Sequence, residues 1–327
     1  MNSRRPAIFW GLGLGLWSLT MGLLGLWVGA QGWERPAWPE TALAQQILLD
    51  IRLPRGLGAW LGGALLGLSG AVAQGLFRNP LADPYLLGSA SGASLGVAVY
   101  LVGMGGLGPV AGATGLGMSG MAFAGAWLAL GLTLFLARGV QRSLRLLLAG
   151  VVVGVVLGAL TSWLALLEPR VWQVMQGFML GSSVLLSTSA CLLMGACLVC
   201  CLVLALTQAR VLDALSLGDS TARSLGMPVQ AAQWLLVGVM SLATAVSVAQ
   251  MGLIAFVGLA APHAVRARVG ASHARLLWLS ALMGGALLQT ADLLSRGLLA
   301  PQDLPVGALT AVLGGVYLLW RMHREAP

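Results

Sequence analysis

The sequence contains no lysine, and its 18 basic residues are all arginines. A P-loop ATPase needs a lysine on the β- and γ-phosphates of its nucleotide, so this chain cannot itself be a Walker-type ATPase. The arginines stand singly at the ends of apolar runs rather than together on one face, which argues against binding to nucleic acid. We interpret them as signals of membrane topology.

Charge of either sign is scarce. Charged residues make up 9% of the chain and hydrophobic residues 58%, whereas a soluble domain has roughly 25% charged residues. Apolar runs of about twenty residues, the length that spans a bilayer as a helix, recur from end to end. The sequence therefore predicts an all-α, multi-pass membrane protein with one transmembrane domain over residues 1–327 and about ten crossings.

Residues for chemistry at membrane depth are few. The chain has three histidines, and Asp292 is the one acid within a predicted span. An intramembrane enzyme would need paired acids or a Ser/His or His-rich constellation, and an ion-coupled transporter would need carboxylates near the midplane. We therefore predict no catalytic site, and energy for any transport must come from another subunit. A passive channel stays open as an alternative.

The four cysteines fall in one apolar run without a histidine or acid nearby, so we predict that they pack in the interior and hold no metal. They are Cys191, Cys197, Cys200 and Cys201.

The arginines are distributed unequally between the two predicted sides of the membrane. Thirteen fall on the side that holds both termini, and five fall on the other side. Because short cytoplasmic loops carry the excess of arginine, we place both termini in the cytoplasm. The five arginines outside are Arg35, Arg52, Arg55, Arg170 and Arg296.

One short polar stretch, 215–229, lies between two long apolar runs near the middle of the chain. Gly218 and Asp219 are predicted to open a helix whose first turn the Asp219 carboxylate caps, with Arg223 one turn further on. Gly226 is predicted to end it in the left-handed conformation, and Pro228 prevents its continuation. Such a helix is too short to be stable alone in water. It is either an ordinary polar loop or a helix that docks on a partner.

Short motifs follow one another in a fixed order from residue 51 onward. They are Ile51-Arg-Leu-Pro-Arg55, Arg78-Asn-Pro-Leu-Ala-Asp-Pro-Tyr-Leu-Leu-Gly88, Leu146-Leu-Leu-Ala-Gly150, Ala222-Arg-Ser-Leu-Gly226, Gly252-Leu-Ile-Ala-Phe-Val-Gly-Leu-Ala-Ala-Pro-His-Ala-Val-Arg266 and Leu304-Pro-Val-Gly307. With them the chain resembles the permease subunits of the iron-siderophore/haem/cobalamin ABC importer family. Gly314-Gly-Val-Tyr317 replaces the Gly-Ala-Pro-Phe pattern of that family, so we expect a straighter last helix.

The resemblance implies a type II ABC importer permease in a bacterial inner membrane. The chain would form a homodimer, or pair with a similar permease, around a translocation path. Two cytoplasmic ATPase subunits would bind ATP and Mg²⁺, a periplasmic binding protein would deliver the substrate, and this chain would be a transport subunit without a cofactor. Tyr85 and residues 299–303 favour an iron(III)-siderophore as the substrate. Haem or cobalamin is the alternative, since the apolar path carries no ligand signature.

The resemblance also implies roles for particular residues. A coupling helix at about 212–226 would sit in a cleft of the ATPase, with contacts from Leu217, Gly218, Asp219, Ala222, Arg223 and Gly226. Positive charge for docking the binding protein would come from Arg52, Arg55 and Arg296, for which anchoring at the membrane interface is the alternative. A cytoplasmic gate would consist of Asn79, Leu81, Ser143 and Leu144, for which simple turn chemistry is the alternative.

Overall fold

The structure is a computed structural model that describes residues 5–29, 32–33, 41–104, 114–137, 143–269 and 272–325. This part of the chain is helical apart from loops and one short antiparallel pair of strands, β1 (Val28–Gly29) and β2 (Gly32–Trp33). The helices are α1 (Arg5–Leu26), α2 (Ala42–Gln46), α3 (Leu53–Phe77), α4 (Ser89–Gly103), α5 (Thr114–Ala137), α6 (Ser143–Leu167), α7 (Pro169–Leu180), α8 (Thr188–Thr207), α9 (Ala209–Ser216), α10 (Asp219–Ser224), α11 (Val229–Met251), α12 (Val257–Val269), α13 (His273–Gly297) and α14 (Val306–Glu325). A π-helical stretch, Ile47–Arg52, joins α2 to α3, and a 3-10 turn, Pro84–Leu87, precedes α4.

Seven helices in the described ranges are long and apolar enough to cross a membrane, as judged by length and composition. They are α1, α2 with α3, α5, α6, α8, α11 and α13. The helix α4 and the first part of α14 are shorter apolar helices, and α12 is the short element with Pro262 inside it. Together these helices account for the predicted number of about ten. The last helix, α14, runs unbroken from Val306 to Glu325.

The helix α7 is a short helix of 12 residues that follows α6 and packs on α4, α6 and α14. Val171, Met175 and Phe178 are buried on one face, while Trp172 and Gln173 are exposed. Apolar residues spaced by three and four positions are typical of an amphipathic helix at an interface. The helix predicted at 171–181 is therefore present as Pro169–Leu180 and is amphipathic, and its position at the membrane interface stays a prediction.

Two of the central helices, α3 and α13, pack with their backbones in contact. A Cβ atom on Gly63 would overlap the carbonyl oxygen of Gly284, and one on Gly67 would overlap that of Ser280. Small residues at such spacing let membrane helices approach closely. Since α3 also packs on α11 and α12, it forms the centre of the bundle.

The two ends of α3 define the two ends of the molecule. Its 25 residues correspond to about 37 Å of helix. We call the end near Phe77, where α9 and α10 lie, the coupling end. The end near Arg55 is called the docking end. The sequence predicts that the coupling end faces the cytoplasm.

Candidate functional site

The segment predicted as one coupling helix, 212–226, is two short helices. The first, α9, ends at Ser216, and α10 begins at Asp219. Between them Gly218 has a φ of +114°, a conformation that side chains with a Cβ rarely adopt. The predicted helix start at Gly218 and Asp219 is confirmed. The wider range 212–226 does not form one helix, because the chain between Ser216 and Asp219 is not helical.

The end of α10 follows the prediction closely. Gly226 has a φ of +73°; its N–H donates to the carbonyl of Arg223 at 2.9 Å, and the N–H of Met227 donates to the carbonyl of Ala222 at 3.2 Å. This pair of hydrogen bonds is the Schellman motif, and it satisfies carbonyl groups that a helix end leaves free. Pro228 follows and forms the cap of α11. The left-handed glycine predicted at 226 is thus confirmed.

Asp219 differs from its prediction in its partner. It is the first residue of α10, and one carboxylate oxygen lies 3.5 Å from the Arg78 Nη2 atom at the end of α3. Its ion pair is therefore with Arg78 and not with Arg223, which was expected one turn further on. A negative charge in the first turn still suits the helix dipole. The ion pair joins α10 to the loop that begins with Arg78 and Asn79.

The helix α10 has one packed face and one open face. Ala222 is buried in a cluster formed by α9, α10 and the start of α11, so it supports the helix and offers no surface to a partner. Leu217 and Leu225 flank the helix and are 68% and 60% exposed, and Arg223 is exposed between them. The ATPase contact predicted for Ala222 is therefore wrong, because burial on α9 and α11 removes it from the surface.

The predicted gate residues lie in two places. Asn79 accepts a hydrogen bond from the N–H of Leu81 at 2.9 Å through its side-chain oxygen, which is Asx-turn chemistry. Leu81 is exposed beyond this turn, and Leu144 is exposed in the first turn of α6, where Ser143 begins the helix. The turn at Asn79 is compatible both with a cytoplasmic gate and with simple turn chemistry, so the gate stays a prediction.

At the docking end, Asp292 is completely buried and forms ion pairs with two arginines. One carboxylate oxygen accepts from Arg55 Nε at 3.1 Å and from the hydroxyl of Ser183. The other oxygen lies 2.8 Å from Arg296 Nη2. Arg55 also pairs with Asp303 at 2.9 Å. A buried carboxylate needs such partners because an unpaired one would be strongly destabilising. We call these four charged residues and Ser183 the Asp292 cluster.

This cluster bears on the predicted docking surface. Arg296 is 5% exposed, and its Nη1 atom donates to the carbonyl of Gly25 at 3.1 Å. The Arg55 side chain is 11% exposed. Both guanidinium groups are held inside the protein, so Arg55 and Arg296 present little of their positive charge at the surface, and their part in docking stays a prediction. Arg52 remains partly exposed, with a hydrogen bond of 2.8 Å to the carbonyl of Leu26.

Several functional contacts could not be read from the sequence. Asp303 and Ser183 were missed as partners in the Asp292 cluster. Asp213 was missed as well: it bonds His273 Nδ1 at 2.7 Å and the His273 N–H at 2.8 Å. A single acid among the apolar residues of α9 was the one available signal for this contact.

Cys191, Cys197 and Cys201 pack in the main apolar core, as predicted. Cys200 is exposed, so the prediction of an interior position is wrong for this residue, which lies on the outer face of α8. Within the described ranges, no group of three or more His, Cys, Asp or Glu side chains could hold a metal ion.

Membrane-length helices packed through glycines, with a short exposed and capped helix at one end, define a multi-pass helical membrane protein. The model of the FecCD transport family matches residues 8–324. The chain therefore belongs to the FecCD transport family and is an ABC importer permease, a transport subunit.

Two relatives extend the similarity along most of the chain. The hemin transport system permease protein HmuU of Yersinia pestis is 42% identical over 284 residues, which cover 85% of this chain and 84% of that protein. The vitamin B12 import system permease protein BtuC of Salmonella typhi is 37% identical over 331 residues, covering 99% and 98%. The similarity thus includes both the coupling end and the docking end.

Solved structures agree on the fold. A metal-chelate type ABC transporter in an inward-facing conformation matches with a TM-score of 0.85 at 27% identity, over 96% of this chain and 98% of that chain. PsaBC from Streptococcus pneumoniae, in complex with Fab, matches with a TM-score of 0.55 at 18% identity, over 86% and 91%. The second match supports the fold alone.

Proposed function

We propose that this chain imports a large metal chelate into the cytoplasm, with haem as the first candidate substrate. The similarity to HmuU, at 42% identity, is the observation that carries this choice. Cobalamin is the second candidate, on the similarity to BtuC over nearly the whole chain. An iron(III)-siderophore is the third.

The residue evidence that favoured a siderophore is weakened by the structure. The Tyr85 hydroxyl donates to the carbonyl of Ile254 at 3.1 Å and accepts from its N–H at 3.3 Å, so it ties the start of α4 to the loop before α12. In the stretch 299–303, Asp303 pairs with Arg55. Tyr85 and Asp303 thus have structural partners inside the chain, which is why we rank the siderophore third.

The assembly we propose contains two permeases, two ATPase subunits that hold ATP and Mg²⁺, and one periplasmic binding protein. This chain needs no cofactor of its own. The exposed Leu217, Arg223 and Leu225 around α10 support docking on an ATPase, since two large apolar side chains flank a short polar helix. A second permease would cover part of the apolar face that α6 exposes from Leu144 to Leu167.

We further propose that the protein lies in the inner membrane with the coupling end and both termini in the cytoplasm. The excess of arginines on that side supports this orientation. On the other side, Arg52 is our candidate for docking the binding protein, while Arg55 and Arg296 hold the Asp292 cluster together. The gate assigned to Asn79, Leu81, Ser143 and Leu144 is part of the same proposal.

The test is transport by the complex that purifies through a tag on this chain, after reconstitution in proteoliposomes with its binding protein. Three probes are compared: haemin, cyanocobalamin and a ferric hydroxamate. We expect an ATPase to co-purify and haemin to accumulate only when Mg-ATP is present. Accumulation without ATP would favour a passive channel. ATP-dependent accumulation of another probe alone would replace haem as the substrate.

A further inference from the structure

The α3–α13 pair joins the coupling end to the docking end. The two backbones touch at Gly63, Gly67, Ser280 and Gly284, and both helices are buried along most of their length. Close-packed interiors transmit displacement because they contain little space to absorb it. Because the backbones are in direct contact at these positions, a displacement of one helix is expected to be transmitted to the other.

The coupling segment is attached to this pair first through Asp213. On α9, its carboxylate accepts from the N–H of His273 at 2.8 Å and from the ring Nδ1 at 2.7 Å. A carboxylate at a helix N-terminus is favoured by the helix dipole and by the free N–H groups. His273 is buried, and its Nε2 atom would lie 3.0 Å from a Cβ on Gly75 of α3. Thus α9, α13 and α3 meet at one point.

Arg78 supplies a second attachment. It ends α3 with a φ of 52°, in the left-handed region, where glycine would meet less steric hindrance. Its guanidinium Nη2 lies 3.5 Å from the Asp219 carboxylate at the start of α10. This ion pair gives a physical reason for an arginine at the position. It connects the helix that faces the ATPase directly to α3.

The same two helices are fastened to each other at the docking end. Arg55 of α3 lies 3.1 Å from Asp292 of α13, and Arg296 binds both Asp292 and the carbonyl of Gly25 in α1. The pair is therefore anchored at both ends by charged groups. Its middle is held by backbone contact.

We propose that Asp213, His273 and Arg78 are positioning residues for transport. They fasten α9 and α10 to the α3–α13 pair, so that a displacement of α10 by the ATPase moves the pair and reaches the docking end. This inference rests on the proposed function, because it requires that α10 docks on an ATPase. His273 acts from a buried position, without contact to any partner.

The experiment measures coupling in the reconstituted complex, as haemin uptake per ATP hydrolysed, together with the amount of ATPase that co-purifies. Asp213→Ala and His273→Ala are expected to retain normal co-purification and to lower uptake per ATP at least tenfold. Thr207→Ala is the matched control, because its exposed hydroxyl bonds only neighbouring residues of the chain, donating to the carbonyl of Leu204 and accepting from the side-chain amide of Gln208. This control should show the native ratio.

A charge exchange tests the second attachment independently of folding. Arg78→Asp and Asp219→Arg should each reduce coupling, and the double variant should recover most of it by forming the reversed pair. Asp suits the left-handed position at 78 better than most residues do. The recovery would separate this link from any direct contact of Asp219 with the ATPase.

Three results would overturn the inference: native coupling in both alanine variants, a double variant no better than its parents, or loss of co-purification in parallel with uptake. The last would mean that these residues only shape the surface for the ATPase. Failure of the proposed function is distinguishable, because the unaltered complex would then lack a co-purifying ATPase or ATP-dependent uptake of every probe.

Discussion

The Asp292 cluster allows one stability prediction in detail. Replacement of Asp292 by Asn removes one negative charge from a site that holds Arg55 and Arg296 against Asp292 and Asp303. The cluster then changes from neutral to a net charge of about +1, by counting the charges of these residues. Arg55 keeps its ion pair with Asp303. Arg296, which is only 5% exposed, loses its ion-pair partner and stays buried.

Breaking a buried pair by removing one partner costs about 3–5 kcal/mol, because the other charge stays buried without compensation. A chain of this kind loses about 2–4 °C in Tm per kcal/mol, so we expect Asp292→Asn to lower Tm by about 10 °C. Asp303 is 43% exposed, and an exposed pair contributes only about 0.2–1 kcal/mol. We therefore expect Asp303→Asn to lower Tm by no more than about 4 °C.

The assay uses the cysteines of the protein as reporters of unfolding. Cys191, Cys197 and Cys201 are buried and Cys200 is exposed, so a thiol-reactive fluorogenic dye in detergent solution reports exposure of the core. Cys200→Ser serves as the background that removes the early signal. Tm is compared for the parent, Asp292→Asn and Asp303→Asn at the same detergent and salt concentrations.

A double variant shows whether the uncompensated charge causes the loss. Asp292→Leu with Arg296→Met removes both members of the buried pair and leaves Arg55 with Asp303. Replacing a whole buried ion pair by apolar residues is often neutral or stabilising, so this variant should be more stable than Asp292→Asn. Equal losses in Asp292→Asn and Asp303→Asn, or a double variant less stable than Asp292→Asn, would refute the reasoning.

Two further predictions concern orientation and docking. On a background without native cysteines, Leu217→Cys should react with a membrane-impermeant maleimide added on the cytoplasmic side. Leu185→Cys, which replaces an 85% exposed residue, should react with the same reagent added on the periplasmic side. The reverse pattern would invert the topology. Arg52→Glu should slow association with the binding protein at low salt and reduce its dependence on salt, because an exposed charge acts mainly on the on-rate. Surface plasmon resonance measures this, with Asp50→Asn as the neighbouring control, and an unchanged on-rate would leave Arg52 as a membrane anchor.

The substrate illustrates how a motif can be recognised correctly while the substrate inferred from it stays untested. Tyr85 and Asp303 lie in stretches that suggested a siderophore, yet both side chains bond within the chain, to Ile254 and Arg55. A sequence shows which polar side chains are present but not which of them are already satisfied. The choice among chelates therefore depends on transport measurements.

Local rules were sufficient for much of the chain. The apolar runs show that the chain is a helical multi-pass membrane protein, because backbone groups in lipid must form their hydrogen bonds inside each helix. The arginine distribution predicts the orientation, and the left-handed conformation at Gly226 follows from its place at the end of a helix. Each of these features depends on residues within one or two helical turns, so it can be predicted from the sequence.

Only the tertiary structure determined the partners of the charged side chains. Arg55 and Asp292 are 237 positions apart, and Asp219 pairs with Arg78 of another helix instead of the neighbouring Arg223. The burial of Ala222 also depended on how α9 and α11 pack against α10. The physical reason is that glycines bring α3 and α13 into backbone contact, and this packing decides which distant charges meet and which remain exposed to a partner.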